Sequence, residues 1–483
     1  MAARRSCIVV LGILLAAPCA ADDAGRADDA YREELRALAE WCRERGLANG
    51  AARAASWFPP PSAKQTFFTL PIGGDDDADA DSPRPTGDEA EFLRRFDELR
   101  RRRAERLFEQ ARSQAEAGRF SPALRLTYET LHEDPNHAAA RKLLGYQQVD
   151  GRWRSPIETA KHRAGQIWHA RFGWIAAEHI ARYEQGERYL NGKWLAADED
   201  ARVHATIDRG WEVQTENFRI RTNHGLEEAA RLAARLEAMQ QVWRQLFARY
   251  HTVEAEWRRL FAGGEPRPIS ARRLPVVCFR TRDEYVSALR KREPRIEQTS
   301  GIFLIDDDTA YFYVDPVADG DAFLFHEVAH QLFAATRKTP RIGGKGNFWI
   351  TEGIACHFES LRIDGDRAEI GGVDNPRMTA ARVRWMRDRF YVPLAELTRM
   401  SLTSMQRDPR LPTLYSQASG LADFLLYADD GRYREATVDY LTAVYAGRDT
   451  PTTLSERTGR TYAELDDEYR RYLERLPPPA GGP

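Results

Sequence analysis

His326, Glu327 and His330 lie in the run His326-Glu327-Val328-Ala329-His330, two imidazoles four residues apart with a carboxylate beside the first. On a helix that spacing sets both rings on one face, a turn apart, where they can clamp a single metal ion. Glu327 falls next to the first ring, placed to take a proton from water rather than to bind the ion. Such a set points to zinc and to water-dependent cleavage of a peptide bond. Phe323, Leu324, Phe325, Val328, Ala329, Leu332 and Phe333 surround the pair, so the segment reads as a core helix. A hydrogen-bonded helical His pair is the bland alternative, but a buried, unpaired pair would be costly and a metal is the simpler account.

Catalytic zinc sites commonly take three protein ligands and keep a fourth position for water. Downstream, after the Gly-rich loop 341–347, stands Trp349-Ile350-Thr351-Glu352-Gly353-Ile354-Ala355. This W-x-x-E-G-x-A run resembles the second zinc helix of the gluzincin metallopeptidases. The resemblance implies His326, His330 and Glu352 as ligands of one Zn²⁺ per chain and Glu327 as general base. The metzincin pattern is excluded, because Phe333 and Thr336 occupy the positions where it needs Gly and His. The likeness spans residues 212–475, with its specific motifs confined to 326–355. Phe218 to Asn223, the hairpin ahead of the zinc helix, and Leu414 to Ala418 are also similar to an uncharacterised family of secreted bacterial gluzincin-like proteins. The implied fold is α+β, a thermolysin-like domain with a mostly helical C-terminal part. Gluzincins commonly add a Tyr or His donor for the substrate's developing oxyanion. Tyr415, opening a helical run 416–427, is the candidate, and His357 the runner-up, with a second role for it beside the site or on the surface; the bland reading has Tyr415 capping a packed helix.

The elements that must position these residues begin near Trp211. Residues 212–222 alternate as a strand, 226–250 form an amphipathic helix, 274–279 a buried strand and 282–290 a short helix. Residues 301–305 and 310–314 flank Asp306-Asp307-Asp308-Thr309 as a hairpin directly before the zinc helix. In gluzincin-like folds an edge strand beside the metal pairs with extended substrate, and 310–314 are expected either to do this or to be an ordinary sheet strand. Beyond Glu352 the pattern is helical, clearest at 380–389, 414–427 and 435–445.

The chain as a whole divides into 1–21, 22–87, 88–210, this domain at 211–476, and 477–483. Arg4 and Arg5, an apolar run from Cys7 to Ala17 and small residues to Ala21 read as a signal peptide, so the mature chain is expected to be secreted or periplasmic. Pro18 precedes Cys19 where a lipobox takes a small residue, which makes a lipid anchor the lesser alternative. No later stretch is long and apolar enough for a membrane span. Residues 22–87 read as a helix (28–47) followed by a flexible linker rich in Pro59-Pro60-Pro61 and Asp75 to Asp81. From Glu89 to Tyr146 the pattern is helical, and Gly118 to Ala123 with Pro135 looks like one tetratricopeptide repeat, expected as a helical hairpin docked on the catalytic part, with peptide or protein binding as the lesser alternative. Val149-Asp150-Gly151-Arg152-Trp153 recurs as Leu190-Asn191-Gly192-Lys193-Trp194, two small hairpins read as spacers. Residues 477–483 read as a disordered tail.

With 483 residues, 42% of them hydrophobic, the chain can bury large cores. A net charge of −2 and an Arg-rich run at 100–106 interrupted by Glu105 give no basic face for nucleic acid, so the expected partner is a peptide or protein substrate. Cys42, Cys278 and Cys356 survive removal of the leader; so sparse and odd a set is no disulfide framework. Cys356, one turn after Glu352, reads as a small core residue or as a neighbour of the zinc site. The competing function from a different class is a non-catalytic extracellular scaffold that retains a structural zinc.

Overall fold

A computed structural model describes residues 18–58, 66–70, 85–266, 272–314, 321–336, 342–373 and 375–477. The expected leader up to residue 17, the Pro and Asp runs of the expected linker, and the tail from 478 lie outside them. Two compact units divide the chain: Met1–Pro61 with Asp77–Arg106, and Ser62–Asp76 with Leu107–Pro483.

In the first unit, α1 (Pro18–Glu44), α2 (Ala48–Ser56) and the front of α3 (Gly87–Glu116) enclose a core of their own. Tyr31, Leu35, Leu38 and Cys42 recur at helical spacing and bury against Phe92 and Phe96. The second helix, α2, buries a side made only of small residues, Gly50, Ala51 and Ala54.

The second unit opens on β1 (Thr66–Thr69), inside the expected linker. This corrects the reading of that stretch as wholly flexible: β1 pairs antiparallel with β14, introduced below, and Phe68 is buried in the main core. The end of α3, α4 (Phe120–Glu133) and α5 (Ala138–Leu143) then pack as a helical layer.

Three hairpins follow, each with a short helix after it: β2 (Gln147–Val149) and β3 (Arg152–Arg154) before α6 (Pro156–Arg163); β4 (Gln166–His169) and β5 (Gly173–Ala176) before α7 (Ile180–Glu184); β6 (Glu187–Leu190) and β7 (Lys193–Ala196) before α8 (Ala197–Val203). Trp153, Trp174 and Trp194 sit at the same place on the returning strand of each. Asp150-Gly151 and Asn191-Gly192 take the positive φ that two-residue hairpins demand. The middle copy turns without an Asx-Gly pair, which is why only two copies are visible in the sequence.

A five-stranded sheet carries the rest, in the order β11-β12-β10-β9-β8. The expected single strand 212–222 is a tight hairpin, β8 (Trp211–Gln214) and β9 (Phe218–Thr222). Helices α9 (Leu226–Leu246), α10 (Ala248–His251) and α11 (Glu254–Phe261) cross to β10 (Leu274–Phe279), which runs parallel to β9. After α12 (Arg282–Leu289), β11 (Gly301–Leu304) turns back as β12 (Thr309–Tyr313), which inserts parallel to β10. Residues 310–314 are therefore not at an edge. The hairpin places β12 inside the sheet and leaves β11 on its rim, correcting the expected substrate strand.

The core face of the sheet, Phe218, Ile220, Val276, Ala310 and Phe312, buries against α9 and α13 (Ala322–Ala335). Next come α14 (Phe348–Phe358), β13 (Arg362–Asp364) and β14 (Arg367–Ile370), then α15 (Pro376–Asp388), α16 (Leu394–Leu397) and α17 (Leu402–Gln406). The chain closes with α18 (Leu411–Gly431), whose backbone leaves helical geometry at Ala428–Asp430, α19 (Arg434–Tyr445), α20 (Thr453–Thr458) and α21 (Tyr462–Arg475). The architecture is mixed α+β, and no helix among the described residues is long and apolar enough to cross a membrane. Cys42, Cys278 and Cys356 are all free and buried.

Candidate metal centre

On α13 the buried side chains Leu324, Phe325, Val328, Ala329, Leu332 and Phe333 form one stripe, and Phe323, His326, Glu327 and His330 form the other. Positions i, i+3, i+4 and i+7 share a face, so one helix presents both imidazoles and the carboxylate together. Phe323, expected to help bury this helix, is instead 46% exposed on that same open face. The start of the helix is pinned by Asp321, which accepts hydrogen bonds from Arg231 and Arg235 of α9.

Glu352 arrives from α14, whose position is set by a buried polar anchor. Asn347 begins that helix in the left-handed region (φ 56°) and donates to Asp449 and Thr450, while Tyr440 donates to it. A Cβ on Gly353 would stand 2.6 Å from the carbonyl oxygen of Ala418, so glycine there allows α18 to lie directly on α14. That approach, one residue after Glu352 and one turn after Tyr415, brings α18 over the site.

His326 Nε2 lies 3.5 Å from Glu352 Oε2, His330 Nε2 lies 3.6 Å from Glu352 Oε1, and the two Nε2 atoms are 3.3 Å apart. Bonds of about 2.0–2.2 Å at tetrahedral angles imply edges of roughly 3.3–3.6 Å between ligands. Each separation falls in that range, with the two imidazoles facing different oxygens of Glu352, and the two nitrogens with a carboxylate oxygen form a donor group that could hold a metal ion. Side-chain exposures of 15, 18 and 9% for His326, His330 and Glu352 leave the group partly open to solvent.

The charges are graded across the cluster. Burial works against a charge on His326, but hydrogen bonds to Cys356, Glu352 and Glu359 prevail and lift it well above the ordinary value. Burial and the neighbouring His326 push His330 down to about 4, against the pull of Glu352. Glu352 is held below the usual carboxylate range by both imidazoles in spite of its burial. Glu327 goes the other way: burial lifts its carboxyl, with Glu352 adding to the effect. Its Oε2 accepts from the Phe303 N–H of β11 at 2.8 Å. A Cβ on Gly301 would stand 3.0 Å from Glu327 Cγ, so the rim strand runs directly under this side chain.

Tyr415 lies within α18, one turn from its start rather than at its cap, partly buried against the main core. Burial, then the charges of Glu352 and Cys356, push its phenol up, so the hydroxyl stays a donor. His357 is neither beside the open face nor on the surface. It is fully buried, with Nε2 2.9 Å from Tyr427 Oη and Nδ1 3.7 Å from Asp423, pointing into the α14–α18 interface. Cys356 is fully buried and stands with His326 and Glu359, so it is both a core residue and a neighbour of the site.

Two residues that sequence reasoning passed over complete the surroundings. Glu359 Oε1 is 2.9 Å from His326 Nδ1, and Arg377 grips Glu359 through Nε and Nη2 at 2.8 and 3.1 Å. Glu359 is two turns past Glu352 on the same helix face, a spacing that could have flagged it; nothing near Arg377 in sequence does so. No protein-family model matches the chain, and no match is found among curated proteins.

Proposed function

We propose that the protein is an exported zinc-dependent peptidase of gluzincin type. The observation that supports this reading is the convergence of His326, His330 and Glu352 from two helices, with donor atoms 3.3–3.6 Å apart and Glu327 beside them but outside the set. Zinc bound by these three residues supplies Lewis acidity, polarising a carbonyl and acidifying water. The protein's own residues do the rest. Glu327, its Oε2 held by the Phe303 N–H, keeps Oε1 free to accept a proton from the attacking water and pass it to the leaving amine. Burial raises this carboxyl, which makes its carboxylate a stronger base toward the attacking water than one tuned low. The Phe303 N–H is taken by Glu327, so the groups left at the rim for an extended peptide to add against as a further strand are the other outward backbone groups of β11. Tyr415 is the donor assigned to the oxyanion that forms on the substrate. The helical hairpin of α3 and α4, read as a tetratricopeptide-like unit, is a place for a protein partner.

The test is metal analysis of the purified protein together with a peptide-library cleavage assay, with and without chelator. About one zinc per chain is expected, lost in His330→Ala and Glu352→Ala. Glu327→Gln should keep zinc and lose hydrolysis. A parent that binds zinc and cleaves nothing in a broad library is a scaffold with a structural ion; a parent that binds none removes the reading altogether.

A further inference from the structure

We infer that Glu359 and Arg377 form the positioning pair of the proposed metal centre, setting the tautomer and ring orientation of His326; this rests on the metal reading above. Glu359 Oε1 sits 2.9 Å from His326 Nδ1. Arg377 donates to both of its oxygens, so Glu359 stands toward the ring as an acceptor. The hydrogen must therefore reside on Nδ1, and the lone pair of Nε2 faces His330 and Glu352. A carboxylate on a short side chain could still swing, and here Arg377 stops it with two near-parallel bonds to the two oxygens. Arg377 is itself fixed at the start of α15, where its backbone N–H donates to Asn375 Oδ1. The chain of contact thus runs from a helix cap through guanidinium and carboxylate to the ring.

His330 has no comparable partner: among the described residues its Nε2 faces His326 and Glu352, and no carboxylate is placed on its Nδ1. Orientation of the site consequently depends on one imidazole. Cys356, His326 and Glu359 also stand close enough to suggest a second ion on the Nδ1 side. The guanidinium of Arg377, bonded to both oxygens of Glu359, already neutralises that carboxylate and would repel a cation there, so the geometry assigns Glu359 to orientation.

The experiment measures zinc affinity by chelator competition, and the visible spectrum of the cobalt-substituted protein, for Glu359→Gln, Arg377→Met and Arg377→Lys, with folding followed by circular dichroism. Zinc affinity should fall about 10–100-fold in Glu359→Gln. Arg377→Met should fall comparably although Arg377 touches no ligand, and Arg377→Lys should recover only part, since one ammonium cannot grip both oxygens. The double variant should be no worse than either single change, because the two act in series. Cobalt bands should shift in each variant, which a loss of stability alone would not cause. Parent-like affinity and spectra in folded Glu359→Gln and Arg377→Met overturn the assignment while His330→Ala still abolishes binding. If the parent binds no zinc, or His330→Ala has no effect, the metal reading fails and this assignment falls with it.

Discussion

At the scale of single residues, the proposed centre sets two chemically similar groups in opposite electrostatic surroundings. Two carboxylates on neighbouring elements are driven apart by their surroundings, Glu352 down by the imidazoles and Glu327 up by burial. In the proposed mechanism this difference would separate ligand from base, two carboxylates of one side-chain type told apart by placement. Tyr415 gives the sharpest test of a single atom. Tyr415→Phe removes only the hydroxyl, so kcat should fall by roughly a hundredfold with zinc content and melting temperature little changed. An unaltered kcat in folded, zinc-loaded protein removes Tyr415 from the mechanism, and buried His357 is no substitute for it.

At the scale of elements, the site depends on how closely α14 and α18 meet. Gly353→Ala would drive a methyl group against the Ala418 carbonyl, 2.6 Å away. Separating the helices should cost about 1–3 kcal/mol and move Tyr415 off the site. Thermal unfolding and kcat measured together decide the point: a variant as stable and as active as the parent would mean that the helices tolerate the extra carbon. A pH effect belongs to α10. His251 lies between Trp243 and Trp257, its Nε2–H donating to the Arg244 carbonyl, and burial followed by the charge of Arg244 lowers it to about 3. In the unfolded chain this ring takes up a proton near pH 6.5, whereas in the folded protein it stays neutral until about pH 3. Its contribution is therefore complete above the unfolded value and is lost as pH falls toward the folded one. His251→Gln should give a shallower decline in stability between pH 7 and pH 4 than the parent. Parallel declines would show that His251 has no part in it.

At the scale of the whole molecule, the second unit recruits a strand from far outside its continuous sequence. β1 joins β14 with Thr66 opposite Ile370, and Phe68, 3% exposed, enters the main core. Thr69 also accepts a hydrogen bond from Gln245 of α9, tying the strand to the crossover helices. Phe68→Ala should destabilise this unit by about 3–5 kcal/mol, as loss of a core aromatic does. Denaturant unfolding that leaves the unit's transition unmoved would make β1 a passive attachment.

What could be read from the linear chain was whatever repeats over a turn or two. The i, i+4 imidazoles, the apolar stripe of α13, Glu352 in its apolar run and the Asx-Gly turns are local patterns, and local patterns dictate which residues share a face. That is why His326, His330 and Glu352 were named before they were seen to converge, and why the mixed α+β class was legible. Pairing at a distance left no such mark. Tertiary structure alone decided that β11 and not β12 forms the rim, because a hairpin can insert either strand and the sequence of each is equally apolar. It decided that Thr66–Thr69 belongs to a sheet whose other strands lie some 300 residues on, that His357 turns inward, and that Arg377 reaches Glu359 from the next helix. In each case the partner was supplied by packing between elements remote in sequence, and the energy of burial and of satisfied hydrogen bonds, rather than any periodicity, made the choice.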